Sequence, residues 1–355
     1  MFPHRSTRQR PFPITYAALI SCSLAQAIGC AADPKADSGG AGDTARDTSE
    51  PAGPPAWQPA FDTSAAGSLS SVWGSGPDDI WIVGGTDEQA ELYHFDGAAW
   101  SPAQAPDLPI LAWVTGWGPS AAFAVGRGGG AARFDGEGWT ALDTGTTEDL
   151  WGCFGFAEDD VWIVGGDADV GAPLILHFDG AAFTEVPLDP AENNRGATTL
   201  FKVWGSGGAL FAVGQSGLIL RYDGAAWRGE AGGPLADQDL ISLWGTGPDD
   251  ITAVGGRSNA RIAHFDGSAW TTTAPSALGG LNGISVQGEH EAVVVGVVGY
   301  AASLDPATGA REDHPPAATL DLHAVWGDGA GTYTAVGGTF AAPHRGVAIQ
   351  WRDDR

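Results

Sequence analysis

Three cysteines in 355 residues are too few for a disulfide framework. Basic residues are also scarce: 17 Lys and Arg stand against 43 Asp and Glu, a net charge of −26. Such acidity repels phosphate backbones and anionic lipid headgroups, so nucleic acid is not an expected partner. The chain has no glycine-rich phosphate loop and no zinc-type Cys/His spacing. Its one extended apolar run, residues 14–28, is too short and too rich in small residues for a membrane span. No metal or cofactor is expected.

That apolar run follows Arg5, Arg8 and Arg10 and ends in small residues, the pattern of an export signal. Its end, Ala27-Ile28-Gly29-Cys30, resembles a bacterial lipobox, in which the cysteine becomes the lipidated first residue of the mature chain. Ala27 stands where Leu is usual. Cys22, after Leu19-Ile20-Ser21, fits the consensus better but leaves a very short apolar core. Cleavage before Cys30 leaves 14 basic against 43 acidic residues, a net charge of −29. It also leaves Cys153 as the only unlipidated thiol, so packing alone must hold the fold in an oxidising compartment. Residues 31–56 contain nothing apolar larger than Ala or Pro, and cannot offset the entropy of ordering. Residues 30–54 read as a flexible tether with a mean reach of roughly 25–30 Å.

Beyond the tether one stretch organises the chain. Residues 72–85 read VWGSGPDDIWIVGG, and related copies recur six times. The closing Val-Gly pairs place Gly84, Gly126, Gly165, Gly214, Gly255, Gly296 and Gly337 at steps of 42, 39, 49, 41, 41 and 41 residues. A period near 40 with several short strands per unit marks a propeller or solenoid. Each copy resolves into four apolar runs, a to d, of ordinary strand length. Run b (IWIV, VWIV, LFAV, VVVV) is apolar on both faces, as when neighbouring sheets cover both sides. Gly-Pro-Asp-Asp or a relative joins a to b. Asp-Gly joins c to d, which favours a type I′ hairpin.

The seventh copy stops after run c, and residues 55–61 (PAWQPAF) match the run d of residues 98–103 (AAWSPA). The N-terminal strand therefore completes the last unit and leaves no open end to aggregate. The expected architecture is all-β: residues 1–29 a lipoprotein signal peptide, 30–54 the tether, and 55–355 a seven-bladed β-propeller of four-stranded antiparallel blades.

The hairpin FDGAAW (95–100) and its kin FDGEGW, YDGAAW and FDGSAW resemble the Asp-box turns of sialidase-like (BNR-like) propellers. Those also join the third and fourth strands of a blade and end in Trp, but carry an upstream Ser that this chain lacks. Lipobox, acidic linker and VWGSGPDD-type repeats together are similar to repeat lipoproteins of Gram-negative bacteria. The resemblance implies a propeller tethered to the outer membrane, on its periplasmic or cell-surface side. It carries no activity with it.

Several residues invite a functional reading. The Asp of each Asp-Gly turn satisfies its own turn backbone and is structural. Trp73, Trp151, Trp204, Trp244 and Trp326 recur at one repeat position and read as packing between blades. His94, His177 and His264 occupy equivalent places in different blades, too far apart to share a metal. Sialidase-like catalysis needs three convergent Arg and a Tyr nucleophile. Arg127, Arg257 and Arg345 fall in b–c loops, and Tyr300 in another, with no motif linking them. The paired carboxylates Asp167/Asp169 and Asp87/Glu88 fall short of the six to eight oxygens calcium takes.

What varies from blade to blade is the set of b–c and d–a loops, all on one face of a propeller. Function resides where length and chemistry differ, so ligand contacts are expected from Asp167, Asp169, Asn193, Asn194, Arg195 and Arg345. The leading reading is a monomeric, non-enzymatic, envelope-anchored scaffold that binds a protein or glycan and meets the membrane only through its lipid. The alternative is a secreted glycan-acting hydrolase of sialidase type. The lipid is checked by metabolic palmitate labelling: Cys30→Ser should abolish incorporation, whereas loss only with Cys22→Ser would move the site.

Overall fold

The computed structural model describes residues 56–167, 169–288 and 290–352. The signal segment, the tether and Cys30 lie outside them. The described residues form seven four-stranded antiparallel sheets. In the first blade the strands run Ser68–Gly76 (a), Asp79–Gly85 (b), Ala90–Phe95 (c) and Trp100–Ala103 (d), and the next five blades repeat this order. The seventh takes a, b and c from Leu322–Gly327, Tyr333–Thr339 and Arg345–Arg352, and its fourth strand is Ala56–Pro59. Trp57 pairs with Trp351 and Pro59 with Ile349, so the ring closes through the N-terminal strand. No helix among the described residues is long and apolar enough to cross a membrane.

Strand b is apolar throughout because both of its faces are covered. In the first blade, Ile80 and Ile82 pack with Val336 and Ala348 of the seventh blade. Trp81 and Val83 pack with Leu111 and Val114 of the second. Each junction between blades is thus a continuous apolar core of interleaved side chains.

The Trp-Gly pairs of strand a have a specific task in those cores. The ring of Trp73 lies on Gly116 of the next blade, where an added Cβ would meet it at 2.5 Å. Trp326 lies on Gly74 in the same way, at 2.7 Å, across the closure. Trp117 covers Gly155, Phe156 covers Gly205, Trp204 covers Gly245, and the Gln287 amide covers Gly327. At the remaining junction Trp244 packs against the cluster containing Val286. At six of the seven junctions one large side chain therefore needs a bare backbone in the next blade.

Trp151 departs from the expected pattern. Strand pairing sets Phe154 opposite Trp162 where the first blade sets Trp73 opposite Trp81. Phe154-Gly155 is therefore the equivalent of Trp73-Gly74, and Trp151 sits three residues earlier, where its indole N–H donates to the Gly166 carbonyl at 3.3 Å. A matching Trp-Gly dipeptide is outweighed by register. The Asp-Gly turn also differs from a two-residue type I′ hairpin. Phe95 pairs with Trp100, leaving residues 96–99 as a four-residue connection. Only Gly97 takes positive φ (87°), and the Asp96 carboxylate accepts the N–H groups of Ala98 and Ala99, both at 2.9 Å. That side-chain cap stabilises a wider loop than the dipeptide alone suggests.

Every strand a carries a bulge directly after its first Leu, at Ser70, Ala112, Trp151, Phe201, Ile241, Asn282 and His323. A bulged residue leaves the ladder and re-aims its side chain. Two of these side chains meet the b–c loops: Phe201 lies under Arg257 at 5.2 Å, and the His323 ring lies tilted against Phe340 at 4.3 Å.

The b–c loops come in two alternating kinds. Blades 2, 4 and 6 use a single tight turn (Arg127–Gly129, Gln215–Gly217, Val297–Gly299) whose middle residue is left-handed: Gly128 at φ 62°, Ser216 at 56° and Val298 at 56°. The N–H of each is held by a carboxylate just before strand a of the next blade: Asp149 (2.9 Å), Asp239 (3.0 Å) and Asp321 (2.7 Å). Blades 1, 3, 5 and 7 instead open with Gly-Gly and longer loops, with positive φ at Gly85, Gly166, Gly256 and Gly338. Three of these reach the next blade through backbone bonds: Ile110 N–H to Thr86 O (2.8 Å), Ala260 N–H to Leu278 O (3.0 Å) and Gly346 N–H to Ala66 O (3.2 Å).

Deleting residues 31–52 should leave the melting temperature unchanged, because that segment carries no apolar side chain larger than Ala or Pro to bury. Extending the deletion through Phe61 removes the seventh blade's outer strand and Trp57, which donates its indole N–H to His314 at 3.1 Å. Light scattering and thermal melts should then show aggregation and a lower midpoint; equal melts for the two truncations would refute closure as a source of stability.

Candidate functional site

The two faces of the ring differ in kind. On the a–b/c–d face the turns are short, and their carboxylates are committed to folding. The second Asp of each Pro-Asp-Asp or its relative pairs with a histidine of strand c: Asp79 with His94 at 2.6 Å, and Asp160 with His177 at 2.8 Å. In the fifth blade the pair opens to 3.8 Å between Asp250 and His264, whose Nδ1 turns to the Thr252 hydroxyl at 3.1 Å. There a groove of about 500 Å³, lined by Asp249, His264, Asp266 and the long 306–309 turn, runs between blades 5 and 6.

Of the six residues expected to contact a ligand, five lie on b–c or d–a connections and Arg345 opens a strand c, and they fall in three separate places. Asp167 folds back on its own loop, accepting the Asp169 N–H at 2.7 Å and the Val170 N–H at 3.4 Å. Asn193 closes the d–a loop of the third blade through two bonds to the Ala197 backbone, at 2.8 and 2.9 Å. That loop buries Val186 and Leu188 against the core, and Glu192 accepts the Gly229 N–H at 2.8 Å beside the outer strand of blade 4. Asn194 is exposed and Arg195 half-exposed on its crest. Arg345 is exposed at the start of strand c in blade 7.

The arginines that a sialidase-like site would need to converge are held apart. Arg127 is bonded to Asp87 and lies 6.0 Å from the Phe340 ring. Arg257 pairs with Asp239 at 2.8 Å on the far side of the ring. The Tyr300 hydroxyl donates to Asp313 at 2.6 Å, and burial raises its pKa far above the usual phenol range. Among the described residues no group of three or more His, Cys, Asp or Glu is placed to hold a metal. His323, bonded through Nε2 to the Gly338 carbonyl at 3.0 Å, has its pKa pushed down to about 4 by burial.

The channel along the ring axis holds residues that the repeat pattern did not single out. At one level of strand a, five blades place small residues: Ser71, Gly152, Ser242, Gly283 and Ala324. The other two place Trp113 and Lys202. The Lys202 chain crosses Gly152, where a Cβ would sit 3.3 Å from its Cδ, and brings Nζ to 3.1 Å from the Trp113 ring centroid. Lys202 is 6% exposed, and no carboxylate pairs with it among the described residues. A desolvated cation–π contact contributes about 2 kcal/mol, against a burial penalty of several kcal/mol per ion. Burial therefore wins and holds the amine's pKa well below the usual lysine range. Burial likewise pushes the Cys153 thiol upward, keeping it protonated. The sequence signal was available: apart from Lys35, Lys202 is the only lysine in the chain. Asp149, Asp239 and Asp321 were equally visible, each directly before the first Leu of strand a in alternate blades.

Neither protein-family models nor curated proteins match the chain in sequence. Solved propellers match it in fold. Ycf48 from Cyanidioschyzon merolae superposes with a TM-score of 0.62 at 14% identity, over 84% of this chain and 98% of that one. Ycf48 bound to D1 peptide gives 0.61 at 14%, over 86% and 99%. Catalytically inactive virginiamycin B lyase from Staphylococcus aureus with quinupristin gives 0.66 at 12%, over 84% and 99%. At these identities the likeness is one of fold.

Two acid-sensitive windows follow from the shifted groups. His323 is neutral in the fold with its pKa near 4, below the ordinary 6.5, so the unfolded chain gains a proton first as pH falls from 6.5 to 4. The turn carboxylates Asp223, Asp266 and Asp305 are pulled to about 2, through turn N–H groups at Asp223 and first through the Ser268 and Thr308 hydroxyls at Asp266 and Asp305. Their contribution is complete above the ordinary 3.8 and lost as pH falls towards 2. Melting temperature should thus decline in both windows; His323→Gln should flatten the upper one and Asp266→Asn reduce the lower.

Proposed function

We propose that the mature chain is an envelope-anchored, non-enzymatic binding scaffold whose b–c/d–a face engages a protein partner. Val298 carries this reading. A β-branched residue at φ 56° is strained by roughly 1–3 kcal/mol, yet its side chain is 69% exposed and returns nothing to the core. The Asp321 carboxylate holds it there. Among the described residues Val170 (65% exposed) and Leu235 (42%) also lie on this face, against Phe156 (38%) on the other. Exposed aliphatic side chains favour a protein over a glycan, which aromatic platforms would serve better. The precedent of Ycf48, a propeller of similar fold bound to D1 peptide, supports peptide or protein recognition. The lipid on Cys30 and the tether would hold the propeller at the outer membrane.

The test is affinity capture of the mature ectodomain from envelope and culture fractions, followed by variants. Arg195→Ala with Val298→Gly should weaken capture at least tenfold without lowering the melting temperature, since Gly relieves the left-handed strain. Asp78→Ala with Asp249→Ala, on the opposite face and beside its groove, should leave capture intact. The reverse pattern would move the working surface to the blade 5–6 groove.

A further inference from the structure

The axial channel narrows around Lys202 to a cavity of about 20 Å³, room for one occupant of water size. Its walls are aromatic and aliphatic, with Lys202, Thr115 and Ser285 among the few polar side chains facing it. The Ser285 oxygen already accepts the Gly327 N–H at 3.2 Å and the Gln287 amide at 3.1 Å, so its own O–H is left to donate. The lining thus offers donors and contains no Asp or Glu, in a chain with 43 of them. A metal cation finds no carboxylate in this lining. An anion finds an amine that is more than nine-tenths buried and has no carboxylate of its own.

We propose that this axial cavity is a binding site for a small inorganic anion of halide size, with Lys202 as its cationic ligand. Empty, the site keeps the amine neutral against the Trp113 ring. Occupied, it holds an ammonium–halide pair: the amine takes one proton from solvent as the anion enters, so charge balances inside the protein. The thiol of Cys153, the other titratable group beside Lys202, stays protonated and does not compete. Affinity therefore falls up to tenfold per pH unit above the pKa of the empty site. The surrounding negative charge opposes entry only weakly, because exposed charges are screened over about 8 Å at physiological ionic strength.

The experiment uses bromide as probe. Crystals of the full propeller grown with sodium bromide should show an anomalous peak beside Lys202 Nζ, absent in Lys202→Met. In solution, replacing gluconate by chloride at constant ionic strength should raise the wild-type melting temperature by about 2 °C, more at pH 6 than at pH 9. Lys202→Met should not respond. A water in place of the axial peak in wild-type crystals, bromide on the surface only, or equal chloride responses in both proteins would overturn the site. The wild-type crystals decide the matter even if Lys202→Met fails to fold.

Discussion

One large side chain laid on the bare backbone of the next blade is the contact on which the ring depends. Six of the seven junctions use a glycine for it, and any side chain there would collide with the wedge. The requirement is reciprocal. The wedge needs the glycine to descend to the core, and the glycine, having no side chain, needs the wedge to fill the space. Strands a and b can then be short and apolar, because each junction supplies the cover that an isolated blade lacks. The same contact walls the axial channel, since Trp73, Trp204, Trp244 and Trp326 line its narrow part. Packing between blades and the closed character of the axis are therefore one design.

The faces divide the remaining work. On one, carboxylates cap turns and pair with strand-c histidines, so the acidity of the chain is largely spent on its own backbone. On the other, bulged residues of strand a turn to meet loops of two alternating kinds. Strain is concentrated there, at Ser216 and Val298, and is held in place by aspartates of the following blade. A face that stores strain and leaves aliphatic side chains in water suits recognition better than one built of short, repetitive turns.

Much of this architecture was legible in the sequence because period and closure are one-dimensional signals. The Val-Gly pairs gave the blade count, and PAWQPAF matched a run d missing from the other end. Register was not legible in the same way. In LWGCFGF the letters Trp-Gly point to Trp151, but pairing with strand b selects Phe154. Asp-Gly suggested a tight hairpin, because dipeptide preference carries no information about the aspartate's capping of two later N–H groups. The candidate face was read as one surface from loop variability, yet Asn193 is consumed in closing its own loop, and Arg345 lies blades away. Lys202 was visible as a rare lysine, but its surroundings were not: the meaning of a lysine in an apolar strand depends on which blades it faces, and Trp113 and Gly152 are separated from it by whole repeats.

The alternation of loop kinds has an arithmetical consequence. A pattern of two cannot be carried around an odd ring without a defect, much as alternating spins cannot all be satisfied on a heptagon. Blades 7 and 1 are both of the Gly-Gly kind, so the mismatch falls between them, beside the one blade that takes its outer strand from the N-terminal Ala56–Pro59. There the long loop of blade 7 leans across: His344 stands 3.6 Å from Asp87, and the Thr63 hydroxyl donates to the Gly346 carbonyl at 3.0 Å. The ring is thus three double units and a remainder. Gaining or losing blades by twos would preserve every latch and move nothing but the size of the hole, whereas a change by one would have to create or erase the seam itself.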